Sequence, residues 1–146
     1  MTEWPEFSAG LSRHLAGLPA GAILTLVEAG GSRYAQFRQF DDRLYAELVG
    51  DEWLGPGKRA GDSGARLLVE AGWQRPDPDH TDNWWIEYPW PLTPLRYREL
   101  VSMVLIGLRD VFAVAEPADL VYNAWNVEDG DRELVLPGLG LRRAPT

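Results

Sequence analysis

From Thr93 to Phe112 the chain repeats apolar residues on a helical period. Leu95, Leu100, Val101, Val104, Leu105, Leu108, Val111 and Phe112 form the stripe, and Met103 and Ile106 widen it. A stripe that broad predicts a helix covered on more than one side, so the rest of the chain must supply an apolar layer for it to pack on. The start is encoded locally. Thr93 stands at the cap and Pro94 at the first helical position, where a missing N–H costs nothing. Gly107 in mid-helix costs about 1 kcal/mol relative to alanine. It predicts a close backbone approach at that point, with a second subunit as one candidate.

The upstream segments can build that layer. Trp4, Phe7, Leu11, Leu15 and Leu18 place one apolar stripe on a helix over Glu3 to Ala16, with Thr2 as its cap and Gly17 as its stop. Three strands follow over 22–28, 34–40 and 43–49, each rich in β-formers and bounded by turn residues. The short link Asp41-Asp42 makes the last two a hairpin. Residues 50–64 hold five glycines and a proline and read as an irregular loop around Trp53. A short helix over Ser63 to Ala71, capped by Asp62 or Ser63, ends at Gly72. Trp84 to Tyr88 reads as a strand, limited by Pro89, Pro91 and Pro94. After Pro117, Leu120 to Trp125 reads as another strand, and Leu134 to Leu136 as its return. The 146 residues fit one α+β domain over 1–137 with a tail over 138–146. Its layers are an antiparallel sheet flanked by two longer helices plus one short helix.

The chain carries no recognisable catalytic or metal motif. It has no cysteine, which excludes a disulfide framework, thiolate zinc sites and a cysteine nucleophile. His14 borders the stripe of the first helix, and His80 lies in an acidic loop, where a solvated ring is expected. Gly55-Pro56-Gly57-Lys58 fails as a phosphate loop, because Glu52 stands where the first glycine belongs and Arg59 follows Lys58. Asp77-x-Asp79-x-Thr81 starts like a calcium loop. However, Asp82 occupies the glycine position and Tyr88 the closing glutamate position. The expectation is a non-enzyme with no cofactor and no metal. A net charge of −8 argues against nucleic acid and against an anionic membrane surface. The acidic N-terminus is unlike a secretory signal, and the apolar stretch 100–108 is half of a membrane span. A cytoplasmic protein is expected.

The aromatic residues remain to be explained. Seven tryptophans are more than a small domain can easily hide, since one can bury about 200 Å². Trp4, Trp73 and one of Trp84 and Trp85 suit the core. Trp53 and Trp90, beside glycine and proline in loops, suit the surface. Trp53, Trp85, Tyr88 and Trp90 are therefore the candidate peptide-binding residues, because exposed aromatics in a groove recognise apolar segments. The surrounding charge, negative on average, suits a basic or neutral partner.

The run Ala71-Gly72-Trp73, Pro76-Asp77-Pro78-Asp79-His80, Asn83-Trp84 and Trp90-Pro91 is followed by the long helix ending Leu108-Arg109-Asp110-Val111-Phe112 and by Pro117-Ala118-Asp119-Leu120. This pattern resembles the actinobacterial TY-Chap group, small domains related to type III secretion chaperones and YbjN-like proteins. The resemblance spans about residues 20–126. It implies a secretion-chaperone-like α+β sandwich, often homodimeric, that binds a client peptide without catalysis or cofactor. The client segment would either add to a sheet edge or enter a groove lined by Trp53, Trp90 and Tyr88. A small acidic inhibitor or immunity-type protein, plugging a folded basic partner, is the alternative from another class. An enzyme with dispersed carboxylates is the third.

Overall fold

The computed structural model describes residues 2–145. Helix α1 (Trp4–Gly17) leads into an antiparallel meander, β1 (Ala22–Glu28), β2 (Tyr34–Gln39) and β3 (Arg43–Leu48). Short 3-10 turns and helix α2 (Gly61–Ala71) connect β3 to β4 (Trp84–Pro89). Helix α3 (Pro94–Leu105) continues as a π-helical stretch, Ile106–Val111, before β5 (Leu120–Asn126) and the two-residue strands β6 (Arg132–Glu133) and β7 (Arg142–Arg143). The sheet order is β4-β3-β2-β1-β5-β6, and β7 pairs parallel to β5. The α+β expectation therefore holds.

The register gives the sheet two chemically different faces. Leu24, Phe37, Ala46 and Ile86 stand opposite one another across four strands, as do Leu48 and Trp84. This face meets Phe7, Leu11 and Leu15 of α1 and Leu100, Val101, Val104 and Leu108 of α3 and its π-helical extension, all buried. Strand alternation sends Thr25, Gln36, Glu47 and Trp85 to the opposite face, which carries none of the described α-helices. Trp73 and Trp84 are in the core, and Trp4 is half-buried, with its indole N–H donating to the Ala115 carbonyl at 3.2 Å.

Several local expectations change. Thr93 caps α3 as expected, its hydroxyl accepting from the Arg96 N–H at 3.2 Å. Thr2 does not cap α1, whose N-cap is Glu3; its hydroxyl donates to the Gly140 carbonyl. Helix α2 starts earlier than expected. Its first N–H groups are met by neither Asp62 nor Ser63 but by the carboxylate of Asp51, which accepts from Ala60 at 2.7 Å and Gly61 at 3.1 Å. A capping oxygen ten residues upstream has no sequence signature. Gly107 approaches the chain's own sheet, not a second subunit: a methyl group there would overlap Leu48 Cδ2. Most of the α3 stripe is likewise covered within the chain, but Leu95 at its start is 58% exposed. The return after β5 begins earlier than expected, at Arg132–Glu133, and continues into Leu134, whose N–H donates to the Ala124 carbonyl at 2.9 Å. Within the segment expected as a tail, Leu139 is fully buried and Arg142–Arg143 pairs with β5.

Candidate functional site

The four aromatic residues singled out by the sequence fall in four places. Trp53 is 53% exposed beside the end of β3, its indole N–H donating to the Thr81 carbonyl at 2.7 Å. Trp85 lies on the helix-free face of the sheet. Tyr88 lies on the helix side and lines a cavity with Met103 and Arg96. Trp90 follows β4 at its other end and lines a separate groove. Trp53, held at Thr81 before β4, and Trp90, just after it, stand at opposite ends of a strand about 16 Å long at 3.3 Å per residue. A single groove of Trp53, Tyr88 and Trp90 therefore does not form, because strand length separates the two indoles and pleat alternation turns Tyr88 to the core.

The helix-free face carries a polar ladder. Thr25 donates to Gln36 at 3.2 Å, Gln36 donates to Glu47 Oε1 at 3.3 Å, and Asn83 donates to Glu47 Oε2 at 3.2 Å. The same Asn83 amide donates to the Tyr34 hydroxyl at 2.9 Å, and its oxygen accepts from the Gly50 N–H at 2.9 Å. His80 is not a solvated loop residue. Its ring stacks on Trp85 with centroids 3.6 Å apart and planes 6° apart, and its Nδ1 meets Asp77 at 2.7 Å. One face of the Trp85 indole is thus already occupied. The hydrogen bond from His80 holds the Asp77 carboxyl below its ordinary range. Among the described residues no three His, Asp or Glu side chains gather as a metal site.

Burial pushes the Glu47 carboxyl above its ordinary value of 4.5, although Asn83, Arg38, His80 and Gln36 all oppose the shift. Below pH 4.5 both folded and unfolded chains carry the proton. As pH rises, the unfolded chain releases it first, so stability falls until the folded group also ionises. Compared with a Glu47→Gln variant, the wild type should lose stability as pH rises from about 4.5, the difference levelling once folded Glu47 has ionised. Urea midpoints for both proteins from pH 4 to 8 check this; parallel profiles would contradict it.

The β4 edge of the sheet offers little to a client strand. Gln74 already exchanges both backbone hydrogen bonds with the outer edge of Trp85, at 2.8 and 3.3 Å. By alternation the next outward residue is Glu87, and after it Pro89 lacks an N–H. Only Glu87 presents both backbone groups outward.

The groove around Trp90 is different. Its volume is about 660 Å³. One wall is α1, where Pro5, Ala9, Ser12 and Ala16 recur at helical spacing on the flank beside the core stripe. The other wall is Trp90, Pro91, Leu92 and Pro94, with Tyr97 beneath. Small residues on the helix leave the space that the bulky residues of the turn enclose. The Trp90 N–H donates to the Asp42 carbonyl at 3.0 Å, which ties this wall to the β2–β3 turn. The groove is apolar, partly open, and of a size suited to a ligand (about 300–1,000 Å³). The sequence marked Trp90. The α1 wall has no counterpart in the sequence, because small residues on an exposed helix flank carry no hydrophobic signal.

No helix among the described residues is long and apolar enough to cross a membrane. No curated protein and no solved structure matched the chain significantly. One family did match over residues 1–126, described as "TY-Chap3: T3SS (YopN, CesT) and YbjN peptide-binding chaperone 3". With 126 of 146 residues inside that match, the chain belongs to the TY-Chap3 family of peptide-binding chaperones.

Proposed function

We propose that this chain is a non-enzymatic chaperone or adaptor that holds an extended client segment in the groove between α1 and the Trp90–Pro94 turn. The observation that carries this reading is the groove itself: an open, mostly apolar channel with an indole on one wall and a helix of small residues on the other. The family description supports the activity class. A groove also needs no free strand edge, and the β4 edge has almost none.

Selection from a displayed library of random dodecapeptides tests the reading, followed by fluorescence anisotropy with the selected peptides. Trp90→Ala should weaken their binding by at least about tenfold, as loss of a central indole does at interfaces. The fold should survive, because Trp90 is half-buried and stands outside the core cluster. Unchanged affinity in this variant would place the peptide elsewhere.

A further inference from the structure

Charge at the groove runs against the charge of the chain. The protein has 22 acidic residues and 14 Lys and Arg, yet the only charged residues lining the groove are Arg13 of α1 and Arg98 of α3. Both are exposed, and the Arg13 guanidinium lies on the side of α1 toward Gly138. Neither takes part in any ion pair among the described residues, whereas Glu99, next along α3, is held by Arg96. Two guanidinium groups without a carboxylate, bordering an apolar floor, form a defined recognition pattern.

We infer that the occupant is an apolar segment of about five residues flanked by aspartate or glutamate. This rests on the groove being the peptide site. The length follows from α1. Pro5 to Ala16 covers eleven helical rises, about 16 Å, which matches about five extended residues at 3.3 Å each. The flanking acids follow from Arg13 and Arg98, whose planar guanidinium forks match carboxylates. The hydroxyls of Ser8 and Ser12 on the α1 wall add donors to the same groove.

The competing expectation is a basic or neutral client, drawn by the overall negative charge. Screening decides between them. At 0.1–0.15 M salt the Debye length is about 8–10 Å, so acids elsewhere on the surface are largely screened from the groove. Groups in contact with the peptide are screened less. The local arginines therefore set the preference, against the sign of the whole chain.

The test is the same library selection, run in parallel on wild type, on the R13E/R98E variant and on Ala9→Trp, which fills the groove from an exposed position. The wild-type pool should be apolar with acidic flanks. Its best peptide should bind about tenfold tighter than the same sequence with lysine flanks, a difference that shrinks in 0.5 M salt. R13E/R98E should select basic flanks, and Ala9→Trp should enrich no peptide pool. A neutral or basic wild-type pool that Ala9→Trp abolishes would overturn the inference and leave the groove reading standing. A pool that survives Ala9→Trp, or no enrichment on wild type, would overturn both.

Discussion

Replacing Asn83 by alanine should destabilise the protein by about 4 kcal/mol, a large part of what a domain of this size possesses. The residue is 1% exposed, and its amide joins three separate parts of the chain. Its oxygen holds the Gly50 N–H where β3 ends, and its nitrogen donates both to the Tyr34 hydroxyl on β2 and to the Glu47 carboxylate on β3. Alanine removes all three bonds and leaves no room for compensation by shape. Each buried group left without a partner costs about 1–3 kcal/mol, more when it is charged. The carboxylate is the expensive one, since burial already works against its ionised form. Asn83→Asp should fare no better at pH 7, because it sets a second carboxylate against Glu47. Urea denaturation at pH 7 measures the loss. A change below about 1 kcal/mol would mean that water repairs the site and that Asn83 is not its hub.

Gly10→Ala should destabilise the protein by about 2 kcal/mol, although alanine is the better helix former by about 1 kcal/mol. An added methyl group would overlap the carbonyl oxygen of Gly138. That oxygen belongs to backbone and cannot rotate away. It can move only with its segment, which is anchored by fully buried Leu139 and by the Gly138 N–H donating to His14 Nε2 at 2.9 Å. Burial and neighbouring Arg13 depress the His14 pKa, which keeps the ring neutral and its Nε2 available as an acceptor. Helix propensity and docking of the C-terminal segment therefore pull in opposite directions, and the overlap is the larger effect. Hydrogen exchange should show residues 137–143 opening more readily in the variant, with the sheet core less affected. A stabilisation of about 1 kcal/mol would show that propensity wins and that the segment is loosely held.

Both substitutions fall where sequence reasoning is weakest. Asn83 sits at the end of an apparently solvated loop, and an asparagine there reads as turn chemistry. Its partners lie 33, 36 and 49 residues away, so no local pattern announces them. Gly10 and Gly138 are 128 positions apart, and a glycine in an amphipathic helix shows only a propensity cost. Asp51 at the start of α2 is the same case at shorter range. In sequence, His80 reads as solvated because its neighbours are charged. The sheet instead brings Trp85 beneath its ring, and that stacking covers it.

The candidate site divides along the same line. Trp90 was legible as a surface aromatic because proline and glycine punctuation excluded it from a strand or helix interior. The second wall of its groove was not legible. Ala9, Ser12 and Ala16 are informative only once α3 begins close by and leaves a gap above them. Nor could the sign of the local charge be read from composition. The total of −8 is an average, and the groove is bordered by two residues that depart from it.

The longer helices and strands, and the face that most of them bury, were legible in the sequence by itself, because those depend on spacings of two, three and four residues and on turns within reach of a few bonds. The short strand Arg142–Arg143, the cap of α2 and the choice between Trp84 and Trp85 were not. The sequence also carried the family, through phrases spread over most of the chain. The tertiary structure alone decided which residues share a space: Asn83 with Glu47, Gly10 with Gly138, Trp90 with the small flank of α1. Contacts between distant segments depend on strand order and helix packing, and these are properties of the whole chain that no short window contains.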